Sequence, residues 1–275
     1  MTTILTRTLV ADCVAVLGLN RQERLNALDP DLIDALRVAL DECARDDSIR
    51  AAVLTGNGAA FCSGADLVSF LSQADLDPGA VGRQVGYSID VAFNPLIRAI
   101  MAFPKPIVTA VNGMAAGGGA ALALCADVVM ASNSAKLKFV QVPQLGCVAD
   151  LGGNWLLQRM AGRGTALAAI LLGQTIIAER ALQLGLFWEV TTDADLLARA
   201  VDAAGALAKA PREAVLATRR LVDMSATASL QDILDLERVY QQGLAARPDL
   251  ADTVRAFLAK RQPHPEDPAI RVDSR

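Results

Sequence analysis

The chain has 275 residues, a mass of 28.9 kDa, a formal net charge of −4 and a pI near 5.1. An acidic chain of this size is not expected to bind nucleic acid, although a local basic patch can still hold one phosphate-bearing ligand. Its apolar runs are too short to span a bilayer, and its first residues lack the apolar segment and cleavage site of a secretory signal, so we expect a cytoplasmic protein.

Cysteine and histidine usage limits the chemistry. The single histidine, His264, lies in a Pro-rich, charged tail, so a Ser–His or Cys–His nucleophilic mechanism is not expected. The cysteines are scattered without a C-x-x-C pair, which predicts reduced thiols and no metal site. They are Cys13, Cys43, Cys62, Cys125 and Cys147.

The first elements alternate between strand and helix. The runs ILTRTLV and CVAVLGLN alternate apolar and polar residues and predict a β-hairpin or two adjacent strands. A helix is then expected with Asp29 as its N-cap, Pro30 as its first residue and an end near Arg45.

Two glycine-bearing loops follow predicted strands farther along. AAVLTG leads into NGAAFCSGADL, and PIVTAVNG leads into MAAGGGAALAL. Because parallel strands end at one edge of a sheet, we expect these loops to meet. Leu122 stands where a dinucleotide fingerprint needs its third glycine, and no Gly-Lys-Ser/Thr follows, so neither phosphate motif fits. The loops therefore favour an oxyanion hole, in which backbone N–H groups stabilise an enolate.

The second half of the chain predicts a short strand at VVMA, several helices and a final strand at LFWEV. Strands and helices alternate up to that point, which predicts an α/β core with right-handed crossovers. From Asp193 onward the pattern is helical only, and the apolar faces of these helices need a surface to cover them.

Five segments in chain order resemble the crotonase superfamily, the enoyl-CoA hydratases and isomerases. They are NRQERLNALD (20–29), VLTGNGAAFCSGADL (53–67), PKPIVTAVNGMAAGGGAALALCADVVMAS (104–132), LGGNWLLQRMAG (151–162) and FLAKRQP (257–263).

The resemblance implies an α/β fold, the ClpP-like crotonase spiral of ββα units, with a helical C-terminal trimerisation region. We accordingly expect a spiral core with the acyl-CoA site over residues 1–195, a helical oligomerisation region over 196–262 and a flexible tail over 263–275. The expected partners are an acyl-CoA thioester and further copies of the chain, in a trimer or a dimer of trimers. No cofactor is implied, because coenzyme A is part of the substrate.

The resemblance also assigns site residues by position. The oxyanion N–H groups would come from Ala65 and Gly118, and Asp66 and Leu67, beside Ala65, become candidate substrate contacts. Asp66 equally fits a role in shaping its turn through local hydrogen bonds.

Two cationic positions resemble the coenzyme A contacts of the family. Arg24 would lie near the adenine and phosphates, and Lys260 or Arg261 would reach the coenzyme A of a neighbouring subunit. Ordinary surface charge is the alternative for each of them.

The chain departs from the hydratases at both of their catalytic glutamates. Ala121 occupies the first position, and the second falls at Val142, Pro143 or Gln144, none of which accepts a proton. A hydratase uses two carboxylates to orient water and to manage its proton. The pair expected for hydration is therefore absent from these positions.

Asp150 resembles the catalytic aspartate of an isomerase branch of the family, which includes dienoyl-CoA isomerases and the ring 1,2-epoxyphenylacetyl-CoA and oxepin isomerases of phenylacetate catabolism. The ring-epoxide branch matches best, through FNPLIRAI, LGGNWLLQRMAGR and LDLERVYQ. One carboxylate is sufficient for a 1,3-proton shift, so we expect an isomerase with Asp150 as its proton shuttle. The alternative role for Asp150 is to cap the following helix or to interact with the dipole of that helix. A hydratase with an unidentified second acid and a catalytically silent acyl-CoA-binding oligomer remain alternative functions.

Overall fold

The described residues form two sheets in which most neighbouring strands are parallel. The computed structural model describes residues 3–71, 78–248 and 250–260, and only the backbone of residues 70, 71, 252, 256 and 260. Within these ranges the chain forms two compact units, one ending at Leu216 and the other beginning at Ala217. No helix among the described residues is long and apolar enough to cross a membrane.

The larger sheet has six strands in the order β1-β2-β3-β5-β7-β10. Its strands are β1 (Leu5–Val10), β2 (Val14–Leu19), β3 (Ala51–Gly56), β5 (Ile107–Val111), β7 (Val128–Ser132) and β10 (Glu189–Thr191). β1 and β2 form the predicted antiparallel hairpin, and every other pair is parallel. β3 and β5, which precede the two glycine-bearing loops, are direct neighbours.

The smaller sheet has four short strands in the order β4-β6-β8-β9. They are β4 (Ala60–Cys62), β6 (Met114–Ala116), β8 (Lys136–Lys138) and β9 (Ile176–Ile177). β4, β6 and β8 pair in parallel, each following a strand of the larger sheet in the chain. This repeated passage from one sheet to the other is the spiral of ββα units that the sequence predicts.

Helices surround the two sheets. In the first unit they are α1 (Pro30–Arg45), α2 (Leu67–Leu71), α3 (Pro78–Ser88), α4 (Asn94–Met101), α5 (Gly118–Leu124), α6 (Gly153–Leu172), α7 (Ala178–Gln183) and α8 (Leu196–Ala208), with π-helical turns at Ile89–Phe93 and Gln141–Leu145 and a 3-10 turn at Gln22–Arg24. α1 begins as predicted, because the Asp29 carboxylate accepts a hydrogen bond from the Leu32 N–H at 2.8 Å and Pro30 is the first helical residue.

Helix α8, which begins at Leu196, packs on the larger sheet. Leu196 and three alanines, at 200, 204 and 208, are buried against side chains of β2, β3, β5 and β7. Small residues on one helix face allow a close approach to the sheet, so α8 completes the core of this unit.

The second unit is helical. Helix α9 (Arg212–Ser225) leads into it, and α10 (Leu230–Ala245) and α11 (Leu250–Lys260) follow. α10 begins with a capping box between Ser229 and Asp232. Its apolar side chains Leu230, Leu234 and Val239 are exposed in the single chain.

Candidate active site

The loop after β4 leaves the N–H group of Ala65 free to bind an acceptor. The Leu28 N–H donates to the Gly64 carbonyl at 2.7 Å, and the Asp66 N–H donates to the Leu28 carbonyl at 2.9 Å. These bonds form a parallel bridge between Leu28 and Ala65. In such a bridge the intervening N–H points away from the partner strand, and no backbone acceptor among the described residues takes the Ala65 N–H.

The second glycine loop contacts the first. Gly117 has a φ of +54° and donates its N–H to the Lys138 carbonyl at 2.8 Å, which aims the chain into α5. Gly118 is the first residue of α5, so its N–H has no acceptor within the helix. A Cβ atom on Gly64 would lie 3.2 Å from this Gly118 nitrogen. The loops meet as the sequence predicts, and each brings a free N–H group to the same place.

Gly119 shows how closely the two loops approach each other. A Cβ atom at this position would lie 2.1 Å from the Cys62 carbonyl oxygen, which is far inside van der Waals contact. The last glycine of the run therefore packs directly on the backbone of β4, and this packing fixes Gly118 beside Gly64.

Asp150 faces the same glycine run. A Cβ atom on Gly118 would lie 3.1 Å from Asp150 Oδ1 and 2.9 Å from Leu151 Cδ1. The carboxylate is therefore next to the space above the Gly118 backbone, which a ligand bound to that N–H would enter. The structure brings together Ala65, Gly118 and Asp150, the three residues that the sequence predicts as catalytic.

The local backbone excludes the alternative role of Asp150 as a helix cap. Gly152, in the left-handed conformation with φ +76°, is the N-cap of α6, and no side chain caps this helix. The Asp150 side chain instead accepts a hydrogen bond from Gln141 Nε2 at 3.1 Å.

Burial raises the pKa of Asp150 above its ordinary value, because the site disfavours the charged form. The hydrogen bond from Gln141 and one from the backbone oppose this effect without cancelling it. No second carboxylate among the described residues contributes to the shift. A carboxyl group with a raised pKa holds a proton more readily near neutral pH, as a proton carrier requires.

Gln141 is a site residue that sequence reasoning missed. It begins the π-helical turn Gln141–Leu145 and is buried with 4% of its surface exposed. Its only sequence signal is a polar residue inside the apolar run KFVQV. The hydratase position that the resemblance places at Val142, Pro143 or Gln144 holds no carboxylate, and Pro143 and Gln144 are exposed.

A buried ion cluster anchors the loop that carries Ala65. Arg21 lies 3.0 Å from carboxylate oxygens of both Asp29 and Asp66, and it donates to the Ala27 carbonyl at 2.6 Å. Asp66 also accepts a hydrogen bond from the Ser69 N–H at 3.3 Å. The Asp66 side chain is therefore bound within the protein by Arg21 and the Ser69 N–H. This arrangement favours a role in shaping the turn over a role in contacting the substrate.

The remaining predicted contacts lie at the surface. Arg24 is exposed in the 3-10 turn, where its carbonyl accepts a hydrogen bond from Ser63 Oγ at 3.3 Å, and Leu67 is 46% exposed at the start of α2. Both residues thus flank the Ala65 loop. The side chain of Lys260 and all of Arg261 lie outside the described residues, as does His264.

The sequence as a whole matches a family model described as Enoyl-CoA hydratase/isomerase over residues 10–268. It is 40% identical over 250 residues to 1,2-epoxyphenylacetyl-CoA isomerase of Escherichia coli K12, covering 91% of this chain and 94% of the relative. It is 34% identical to 2,3-dehydroadipyl-CoA hydratase of the same organism, over 91% of this chain and 94% of that one.

A solved structure has the same fold. The crystal structure of an enoyl-CoA hydratase from Polaromonas sp. JS666 superposes with a TM-score of 0.85 at 30% sequence identity, covering 94% of this chain and 98% of the other. The relatives thus include both an isomerase and hydratases, so the likeness by itself does not choose between the two reactions.

Proposed function

Because the chain belongs to the enoyl-CoA hydratase/isomerase family, we propose that it is an isomerase that moves a double bond, or opens a ring epoxide, in an acyl-CoA thioester. The observation that carries this proposal is the pairing of one buried carboxylate, Asp150, with the Gly118 backbone. The hydratase positions hold no acid, because the first is Ala121 and the second falls at Val142, Pro143 or Gln144. A single proton carrier is sufficient for a proton shift, whereas hydration needs water to be activated as well.

The proposed reaction begins when the thioester carbonyl oxygen accepts hydrogen bonds from the N–H groups of Ala65 and Gly118. The Asp150 carboxylate then removes a proton from the carbon α or γ to the carbonyl, which breaks a C–H bond and forms the O–H bond of the acid. The two N–H groups stabilise the negative oxygen of the resulting dienolate. Asp150 returns the same proton to the other end of the dienolate, so the substrate gains and loses no atoms.

Asp150 suits this role because its environment favours the protonated intermediate state. Burial raises its pKa, so the acid formed in the first step is not strongly driven to release its proton to solvent. The reaction needs no cofactor beyond the coenzyme A of the substrate. Contacts from Arg24 and Lys260 to coenzyme A, assembly as a trimer or a dimer of trimers, and a cytoplasmic location remain predictions from the sequence.

The ring-epoxide substrate class rests on a separate observation. The chain is 40% identical to 1,2-epoxyphenylacetyl-CoA isomerase of Escherichia coli K12, which supports an arylacetyl-epoxide thioester as one candidate substrate. Both substrates carry a C–H group next to the thioester carbonyl, so removal of that proton by one Asp, with the enolate oxygen held in one oxyanion hole, is available to either of them.

The test is a substrate panel with one active-site variant and one control. Purified protein is incubated with β,γ-enoyl-, dienoyl-, crotonyl- and arylacetyl-epoxide CoA thioesters, and products are identified by mass and ultraviolet absorbance. We expect isomers of unchanged mass. Asp150→Asn is expected to lower turnover by roughly 10²- to 10⁴-fold with thioester binding retained, and Asp202→Asn, an exposed carboxylate on α8, is the control.

Two outcomes contradict the proposal. If crotonyl-CoA yields a product about 18 Da heavier, the mass of one added water, and its turnover is comparable to that of isomerisation, the protein is the hydratase of the first alternative. If the protein binds the thioesters but shows neither turnover nor exchange of the α-proton with deuterium from the solvent, it is a silent acyl-CoA-binding protein. Full activity of Asp150→Asn removes Asp150 from the mechanism in either case.

A further inference from the structure

Gln141 has a buried acceptor for which no described residue provides a donor. The side chain is 4% exposed, its Nε2 donates to Asp150 Oδ1 at 3.1 Å, and its Oε1 has no hydrogen-bond partner among the described residues. A buried polar atom without a partner is unfavourable for folding, so such atoms are rare in stable cores. The Gln141 carboxamide is therefore not explained by the stability of the fold alone.

The surroundings of Gln141 tie it to the catalytic loops. A Cβ atom on Gly117 would lie 3.6 Å from Gln141 Nε2 and 3.9 Å from Gln141 Cδ, so the carboxamide lies over the start of the glycine run. The Gln141 carbonyl accepts a hydrogen bond from the Cys147 N–H at 3.2 Å, which holds the backbone. Gln141 also begins a π-helical turn, a feature that occurs frequently at functional sites.

Asp150 alternates between two forms with opposite hydrogen-bonding needs. Its carboxylate only accepts hydrogen bonds, whereas the carboxylic acid formed after proton removal also donates one. A glutamine carboxamide contains both a donor and an acceptor of nearly the same size, and its terminal torsion is soft. Because no described group holds Oε1, rotation of the Gln141 carboxamide breaks no hydrogen bond other than the one to Asp150.

We infer that Gln141 is a positioning residue that serves both protonation states of Asp150, presenting Nε2 to the carboxylate and, after rotation of the carboxamide, Oε1 to the acid O–H. This inference rests on the proposed role of Asp150 as proton carrier. It gives the buried, unpartnered Oε1 a function: this oxygen is the acceptor for the intermediate state of the reaction. Gln141 keeps the Asp150 side chain in one orientation while the proton is held.

The groups around Asp150 leave Gln141 as its main hydrogen-bonding partner. Cys147 is the titratable neighbour among the described residues, and the pKa of its thiol is raised, chiefly by burial and further by Asp150. The thiol is therefore neutral near pH 7 and adds no charge beside the carboxylate. No charged side chain among the described residues contributes to the shift of Asp150.

The experiment replaces Gln141 by methionine, which has a similar volume and no strong hydrogen-bonding group. Turnover, KM, thioester affinity and the pH profile of kcat/KM are measured with the substrate that the panel identifies. We expect kcat to fall about 10- to 100-fold, the range for loss of a hydrogen bond to a charged group, with little change in KM. The acidic limb of the profile shifts to higher pH because the carboxylate loses a donor.

The matched control is Gln144→Met, an exposed glutamine of the same π-helical turn, which is expected to retain the wild-type kcat and pH profile. Gln141→Glu is a second test, because a carboxylate beside Asp150 shifts the acidic limb farther than methionine does. Thermal unfolding is measured for each variant. Gln141→Met is expected to unfold no earlier than the wild type, since it removes an unpartnered buried oxygen.

The results separate the inference from the proposed function. If Gln141→Met matches Gln144→Met in kcat and in pH profile, or if its only change is a higher KM, the positioning role is wrong while an inactive Asp150→Asn still supports the proton shuttle. If Asp150→Asn has full activity, the proposed function fails and the inference fails with it.

Discussion

The Arg21 guanidinium lies 3.0 Å from the Asp66 carboxylate, and Asp66 directly follows Ala65 in the chain. The same guanidinium reaches Asp29, which caps α1, so one cation joins the start of that helix to the loop of the candidate oxyanion hole. All three side chains are at least 86% buried, the exposed fractions being 13%, 14% and 8%. The ion cluster therefore connects the stability of the fold to the position of a catalytic backbone group.

Replacing Arg21 by methionine leaves two carboxylates buried without their cation. Removing one partner of a buried ion pair costs about 3–5 kcal/mol, so we expect Arg21→Met to lower the free energy of unfolding by about 3 kcal/mol and to lower kcat more than KM rises. Urea unfolding and steady-state kinetics measure the two effects. Arg7→Met is the control, because its pair with Glu42 is 40% and 58% exposed and is worth at most about 1 kcal/mol. Equal losses in the two variants would show that the cluster contributes no more than a surface pair.

The sequence predicted the central strands β2, β3, β5 and β7 of the larger sheet well because they are mostly buried apolar runs with clear ends. Strands such as β6 and β9 were not predicted, since two or three residues are too few to show a period. The segments NWLLQRMAG and TALAAILLG each predict a helix, and the structure confirms both: α6 consists of two helices that meet at a kink at Gly162, where φ is +77° and ψ is 163°. Gly162 ends the first of these helices because its positive φ is a conformation that glycine adopts without strain.

The candidate site was predictable where its residues belong to one motif. The Gly118 run has a recognisable spacing, and Ala65 and Asp150 followed from the resemblance. Gln141 was not predicted because its partner is nine positions away and the contact depends on a π-helical turn. Arg21 lies 45 positions from Asp66, so their ion pair depends on tertiary structure alone.

The buried Asp150 side chain is expected to make the folded protein less stable at neutral pH, where it loses its proton, than at acidic pH, where it keeps it. Its pKa is raised in the folded state, chiefly by burial, so the folded chain binds this proton more tightly than the unfolded chain does. Stability therefore falls as pH rises from about 4, the ordinary value for Asp, through the folded-state pKa. We expect Asp150→Asn to unfold at higher urea concentration than the wild type at pH 7, with the difference disappearing near pH 3, where both side chains are neutral.

Asp66→Asn is the matched comparison, because the sign of its shift is opposite. Burial alone would raise the pKa of Asp66, but hydrogen bonds from Arg21 and the Ser69 N–H and the charge of Arg21 lower it overall. Its stabilising contribution is thus present above about pH 4 and is lost as pH falls through the folded-state pKa. Urea midpoints between about pH 3 and 8 should show Asp66→Asn below the wild type at neutral pH. A lower midpoint for both variants at pH 7 would contradict the assignment of opposite shifts.

Alanine substitutions at the neighbouring glycines Gly118 and Gly119 are expected to have different effects, the first mainly on kcat and the second mainly on the free energy of unfolding. A Cβ on Gly118 would meet Leu151 Cδ1 at 2.9 Å and Asp150 Oδ1 at 3.1 Å, both side-chain atoms beside the free N–H. We expect Gly118→Ala to lower kcat by about 100-fold, the cost of losing one oxyanion donor, because the methyl group occupies the approach to that N–H while the side chains around it adjust.

Gly119→Ala acts on the backbone instead. Its Cβ would lie 2.1 Å from the Cys62 carbonyl oxygen, so α5 and β4 must separate and the free energy of unfolding should fall by about 1–3 kcal/mol or more. Gly164→Ala is the control, since no described atom outside the adjacent residues and the surrounding helix backbone lies within 4 Å of a Cβ there, and alanine inside a helix is favoured over glycine by about 0.5–1 kcal/mol. Urea unfolding and kcat are measured for all three variants. If Gly118→Ala loses stability as Gly119→Ala does while its folded fraction keeps the wild-type kcat, Gly118 serves the packing of the loops and not the oxyanion.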